Sequence, residues 1–293
     1  LWGFAFLAGL SASVIRAVTM FSFVAYALYL NRPSNTFNIL ALSMFFILLL
    51  FNPMLLFQVG FQMSYAAVFS IVWIYSMLQR FWNPKNIVIK KVWQLLSVSI
   101  AAQLGVLPLS LFYFHQFPGL FFISNLLIVP FLGVLLGIGI LVMVLALLNV
   151  LPEFLVNWYN KMISLMNSVI EWVAQQEAFI FKNISFDRVQ MLLAYAILIS
   201  LLVLCTKPNF KRTVAFLIAV IAFQSWLFYS DMNIAEKEKL LLLHQTKNSI
   251  LFYQKGNQLA IYSSKETTTN RTITNFEIGE RIENNTHKKL KNS

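Results

Sequence analysis

The run Gly60-Phe-Gln-Met-Ser-Tyr-Ala-Ala-Val68 sets a glycine, an amide and a hydroxyl, at Gly60, Gln62 and Ser64, inside apolar sequence of membrane-crossing character. Polar side chains at that depth are costly and are usually kept for a path or a site. Three kinds of chemistry are open to them. A serine becomes a nucleophile when a histidine or lysine takes its proton. Ser11, Ser13 and Ser64 are available, with His115 as the base, but no spacing pairs them. Amides such as Gln62, Gln103 and Asn125 can hydrogen-bond neighbouring helices. The same neutral donors can solvate a charged solute along a wet path.

Arg16 is the charge closest to these groups in character. It follows the stretch Gly9-Leu-Ser-Ala-Ser13, where glycine interrupts and serine caps, and is expected in the first turn of a new helix. A charge at the bilayer centre costs about 2.5–3.5 kcal/mol on insertion scales. If the break is interfacial, Arg16 snorkels to the headgroups. If it is re-entrant, Arg16 faces a cavity and can touch phosphates.

Other chemistries find no residues. The chain has no GxxxxGK[ST] loop and no HExxH, and His115, His244 and His287 are far apart. Cys205 stands alone, which excludes an intramolecular disulfide and a cysteine-based zinc cluster. No catalytic residue, metal or cofactor is expected, and the chain is not read as an enzyme.

The elements that must position the polar groups are membrane spans. The chain is 59% hydrophobic and 11% charged, with mean hydropathy +0.71. Multi-span membrane proteins have this composition and soluble domains do not. Apolar runs long enough to cross are Ser13–Leu30, Phe37–Phe57, Phe61–Leu78, Val92–Phe114, Leu120–Leu148, Val189–Thr206 and Thr213–Ser230. Breaks are expected at Gly9, Gly60, Pro108 and Pro130, since helices interrupted beside polar groups recur where transporters form sites. The chain opens on Leu1 within apolar sequence and reads as a piece of a longer protein.

Charge placement orients these spans. No Asp or Glu occurs from Leu1 to Pro152, whereas Arg16, Arg32, Arg80, Lys85, Lys90 and Lys91 do. Missing carboxylates argue against a proton- or sodium-coupled pump. The basic linker Gln79–Lys91, the turn at Arg32 and the cluster Lys207, Lys211 and Arg212 are expected on the cytoplasmic side. These markers agree only if Pro152–Phe181 also crosses. That segment carries a polar stripe, Asn157, Asn160, Lys161, Ser164, Asn167, Ser168, Glu171 and Gln175, at helical spacing. It can lie flat on the membrane or cross with the stripe toward water; charge parity favours crossing.

After Ser230 the composition changes. Lys239–Leu243, Ile250–Tyr253 and Leu259–Tyr262 read as short strands with a hairpin at Lys255-Gly256-Asn257, and the sequence beyond Ser263 reads as disordered. The expected fold is an all-α polytopic membrane protein of about seven or eight transmembrane helices with a short β-hairpin-like soluble tail. Its expected parts are residues 1–230, a transmembrane domain truncated on its N-terminal side, and residues 231–293, the tail.

Taken in order, five runs resemble the membrane domain of the ComEC competence family: Gly9–Met20 (GLSASVIRAVTM), Asn38-Ile-Leu leading to Asn52-Pro53, Gly60–Val68, Ala101–Phe114 (AAQLGVLPLSLFYF) and Ser124–Pro130 (SNLLIVP). The likeness covers Leu1 to Pro130 and fades beyond Leu148. It implies a bacterial inner-membrane, multi-pass channel that carries one DNA strand into the cytoplasm during natural transformation. It carries over Arg16, Gln62, Ser64, Gln103, Pro108, Asn125 and Pro130. The expected DNA path adds Asn157, Asn160 and Ser164 from the polar stripe. Partners implied are single-stranded DNA, the lipid bilayer, a cytoplasmic ATPase or helicase, an extracytoplasmic DNA receptor and possible further copies of the chain. The family's OB-like domain and Ser-Gly-Leu-His segment are not in the chain, nor are the histidines of its metallo-β-lactamase-like domain. An intramembrane serine hydrolase and a small-solute transporter remain as alternatives.

Overall fold

The computed structural model describes residues 2–7, 9, 12–29, 35–50, 52–176, 179–245, 248–263, 271–282 and 284–289. Ser11 and Arg32, both used above, lie outside the described residues. The chain divides into two compact units, Leu1–Leu107 with Phe117–Phe181, and Pro108–Gln116 with Lys182–Ser293. The composition change after Ser230 falls inside the second.

In lipid no water pairs with a free N–H or C=O, so apolar segments fold as helices that satisfy their own backbone. Among the described residues five helical runs are long and apolar enough to cross a membrane: Val59–Phe81, Ile87–Phe114, Phe121–Leu147, Arg188–Thr206 and Phe210–Ala235.

The first unit opens with α1 (Trp2–Leu7), a turn at Gly9 with φ +72°, and α2 (Ala12–Tyr29). Arg16 therefore sits in the second turn of α2 rather than its first. The apolar run expected as Phe37–Phe57 is not one helix. It divides into α3 (Thr36–Leu50) and a 3-10 turn, Pro53–Phe57, capped by the Asn52 side chain, which accepts from Met54 N at 2.8 Å. Gln58 is extended, and α4 (Val59–Ser70) follows. The break expected at Gly60 thus lies at Asn52–Gln58, where the proline and the Asn cap favour a tight turn. Gly60 itself is helical. One π-turn, Ile71–Tyr75, joins α4 to α5 (Ser76–Phe81).

Helix α6 (Ile87–Phe114) returns antiparallel to that run. Ser70 meets Gly105, Gln79 Nε2 donates to the buried Ser97 Oγ at 3.1 Å, and the Trp82 and Trp93 rings sit 5.1 Å apart. Pro108 lies inside unbroken α6 and Pro130 inside unbroken α7 (Phe121–Leu147), contrary to the breaks expected there. In a membrane, local adjustment and neighbouring groups re-satisfy the carbonyl a proline frees.

Helix α8 (Glu153–Ala174) packs antiparallel on α7. The Tyr159 hydroxyl lies against Gly139. Beyond both helices, β1 (Phe117–Pro118) pairs antiparallel with β2 (Ile180–Phe181), and Gly119 N donates to Phe179 O at 2.8 Å. The far end of α8 is therefore level with the start of α7. At 1.5 Å per residue its length is about 33 Å, a bilayer's hydrocarbon thickness.

In the second unit α9 (Arg188–Thr206) and α10 (Phe210–Ala235) form a helical hairpin. Asp187 and Gln190 make a reciprocal capping box at the start of α9, with Asp187 Oδ1 accepting from Gln190 N at 2.7 Å. Trp226 Nε1 on α10 donates to the other Asp187 oxygen at 2.9 Å. At the opposite end Arg212 donates to the carbonyls of Lys207 and Val203, at 2.7 and 3.3 Å, which satisfies orphan groups at the helix terminus.

The tail is more than a hairpin. Strands β3 (Glu238–Gln245), β4 (Asn248–Lys255), β5 (Gln258–Ser263) and β6 (Asn284–Lys289) form one sheet in the order β3-β4-β5-β6. The first three are antiparallel, and the expected turn is present, with Gly256 at φ +57°. Helix α11 (Arg271–Gly279) then crosses over to β6, which runs parallel to β5. The disorder expected beyond Ser263 is thus replaced, over residues 271–282 and 284–289, by helix and strand. The reason is Ile273, Phe276 and Ile282, which pack onto Ile250, Phe252, Leu259 and Ile261. Three apolar residues among many polar ones are enough to close a small core.

Candidate functional site

The polar groups of the first unit gather where α2, α3 and α4 pack together. Their apolar setting is a cluster of Ile47, Phe61 and Tyr65, flanked by Met44, Leu48, Leu55 and Phe69. Arg16 on α2 is 8% exposed, and Thr19, three residues on, is 3% exposed. That spacing places both on one helix face.

The Arg16 guanidinium carbon lies 6.0 Å from the centroid of Phe61, at the outer reach of a cation–π contact. Phe61 in turn lies 4.6 Å, centroid to centroid, from the Tyr65 ring. The Tyr65 hydroxyl is 3.2 Å from Ser43 Oγ, and Ser43 Oγ donates to Leu40 O at 2.8 Å. Either hydroxyl of the Ser43–Tyr65 pair can donate to the other. Arg16 Nε and Thr19 Oγ1 are different: each is buried and has no hydrogen-bond partner.

The predicted residues fare unevenly. Arg16 is brought against α4. Gln62 and Ser64, on α4, are half-buried. The Gln62 amide donates to Leu56 O at 2.9 Å, which ties α4 to the 3-10 turn before it. Gln103 on α6 and Asn125 on α7 are half-buried. Asn157, Asn160 and Ser164 are exposed along α8, whose packing partner is α7, so the stripe belongs to a separate helical hairpin. The structure thus joins Arg16 to the Gly60–Val68 run, while the α8 stripe lies on the helix that packs with α7.

Sequence reasoning missed Thr19, Ser43 and Tyr65. The signal for Thr19 was its i+3 spacing from Arg16. Tyr65 lay within the run already singled out, between Ser64 and Ala66. Ser43 carried no signal, because a serine in the middle of an apolar helix reads as helix packing.

A family model described as Competence: Competence protein matches residues 1–208. The chain is similar to ComE operon protein 3 of Bacillus subtilis (strain 168), 34% identical over 175 residues, a stretch that is 59% of this chain and 22% of that protein. The match thus spans about a fifth of the length of that curated relative. No solved structure matches the chain.

Proposed function

From the premise that the chain belongs to the competence protein family, in which competence DNA uptake is the shared role, we propose that it is a component of a bacterial inner-membrane channel that passes single-stranded DNA into the cytoplasm. The observation that carries this reading is the absence of any Asp or Glu from Leu1 to Pro152, in a membrane region that nevertheless buries Arg16. A phosphate chain crossing that region meets no like charge.

Conduction is passive. Neutral amides and hydroxyls solvate phosphates without holding them so tightly that movement stops. Gln62, Ser64, Gln103 and Asn125 supply such groups within the spans, and Asn157, Asn160 and Ser164 supply them along α8. The chain itself catalyses nothing; a cytoplasmic ATPase or helicase pulls the strand, and an extracytoplasmic receptor delivers it. Further copies of the chain can complete the pore.

Seven or eight crossings fit this role. The five long runs make five, α2 and α3 make seven, and α8 makes eight. The pairing of β1 with β2 supports a crossing α8, because it holds the far end of α8 level with the start of α7. With α8 crossing, the basic linker Gln79–Lys91 and the cluster Lys207, Lys211 and Arg212 share the cytoplasmic side.

The test follows labelled double-stranded DNA into cells with the full-length gene, its deletion, and a Gln62→Leu plus Arg16→Ala variant. Nuclease-protected label is counted separately in periplasm and cytoplasm. Deletion is expected to leave label outside the cytoplasm, and the double variant to reduce entry at least tenfold. Unchanged cytoplasmic entry in the deletion, in cells that take up DNA, sinks the channel reading. Saturable uptake of a small solute would then favour a transporter, and reaction with a serine-directed probe a hydrolase.

A further inference from the structure

Arg16 is a cation 8% exposed in a stretch, Leu1 to Pro152, that holds no Asp or Glu. A guanidinium keeps its proton at any physiological pH, so the charge cannot be shed. Among the described residues, the helices that pack most on α2 are α1, α3 and α4, all within the stretch that lacks Asp and Glu. The Arg16 Nε–H is buried without a partner, which costs free energy, and the face of Phe61 at 6.0 Å is weak compensation. Thr19 adds a second anomaly on the same face, a 3%-exposed hydroxyl without a partner. Two buried donors without partners, one of them on a guanidinium, lie three residues apart on one helix face. The neighbouring Ser43 and Tyr65 hydroxyls are paired with each other.

We propose that Arg16 Nε–H and Thr19 Oγ–H form a binding site for a single phosphate group. A phosphodiester fits this donor set: it carries one negative charge against one guanidinium, and its two free oxygens can accept from the two donors. The phosphate comes either from a nucleic-acid strand or from a lipid headgroup. If from a strand, the site rests on the channel reading; if from a lipid, it stands without it.

The experiment takes the full chain in a phosphate-free maltoside detergent and follows thermal unfolding against inorganic phosphate, with chloride replaced to hold ionic strength constant. The wild-type midpoint is expected to rise with phosphate and that of Arg16→Gln to stay flat. Thr19→Val guards against a variant that simply misfolds. It removes an unpaired buried hydroxyl at nearly constant shape, so without phosphate its midpoint should not fall below wild type. Its half-maximal phosphate concentration should rise about tenfold. A wild type no more responsive to phosphate than both variants overturns the site.

Two further arms identify the source. Competition with phosphate by a short oligothymidylate, but not by its uncharged methylphosphonate analogue, assigns the site to a strand. Phospholipid retained by wild type in native mass spectrometry and lost from Arg16→Gln assigns it to a lipid. A phosphate response in a chain whose gene deletion leaves DNA entry unchanged sinks the channel reading alone. Loss of entry on deletion without any phosphate response sinks the site alone.

Discussion

A Cβ added to Gly105 would run into Ser70 Oγ and lie 2.6 Å from the Ala66 carbonyl oxygen. The two helices of the Val59–Phe81/Ile87–Phe114 hairpin therefore approach as closely as only a glycine allows, the packing mode by which small residues drive helix association in lipid. This contact adjoins the π-turn that begins at Ile71.

Gly105→Ala should accordingly destabilise the chain by about 1–3 kcal/mol, the cost of overpacking a tight contact. Gly137→Ala on α7, where an added Cβ meets nothing within 4 Å, should change stability by less than about 1 kcal/mol. Thermal unfolding of both variants in the same detergent checks the contrast, and equal effects would refute the close approach.

The α7–α8 hairpin predicts a topology. In a Cys205→Ser background, single cysteines replace the exposed Val150, before α8, and the exposed Gln175, after it. An impermeant maleimide should label them from opposite sides of the membrane, with position 150 reached from the cytoplasm. Labelling from one side would place α8 flat on the surface.

Asp187 serves two elements at once, capping α9 and accepting from Trp226 on α10. Asp187→Ala should lose both interactions, roughly 2–4 kcal/mol for a cap together with a charged hydrogen bond. Trp226→Phe should lose only the second. The double variant should cost less than the sum of the two singles, by about 1 kcal/mol or more, in a double-mutant cycle of thermal unfolding. Strict additivity would mean the indole bond contributes nothing.

Tyr253 on β4 donates to Glu238 on β3. That bond, aided by the carboxylate's repulsion of a phenolate, raises the Tyr253 pKa above the ordinary tyrosine value. A raised folded-state pKa means the contribution is complete below the ordinary value and is lost as pH rises through the raised one. Glu238→Gln should shift one tyrosine's absorbance titration to lower pH and leave the others in place. An unchanged titration would show that the bond does not persist in solution.

Much of the membrane region was legible from composition alone, because lipid leaves an apolar segment no alternative to a self-satisfied helix. Long segments such as Phe121–Leu147 and Arg188–Thr206 fell within a residue or two of expectation for that reason. The hairpin turn at Gly256 was legible because only a residue without Cβ enters that φ freely.

Other features required the tertiary structure. Whether Pro108 and Pro130 break their helices depends on neighbouring groups, and here both helices continue. The fold beyond Ser263 depended on three scattered apolar residues finding a sheet to cover, a long-range pairing that local polarity conceals. Above all, Arg16 was visible in the sequence as a charge and the missing carboxylates as a composition. Only packing decided that this charge is buried beside an unpaired Thr19 and against the ring of Phe61, since burial and hydrogen-bond satisfaction belong to the meeting of three helices and to none of them alone.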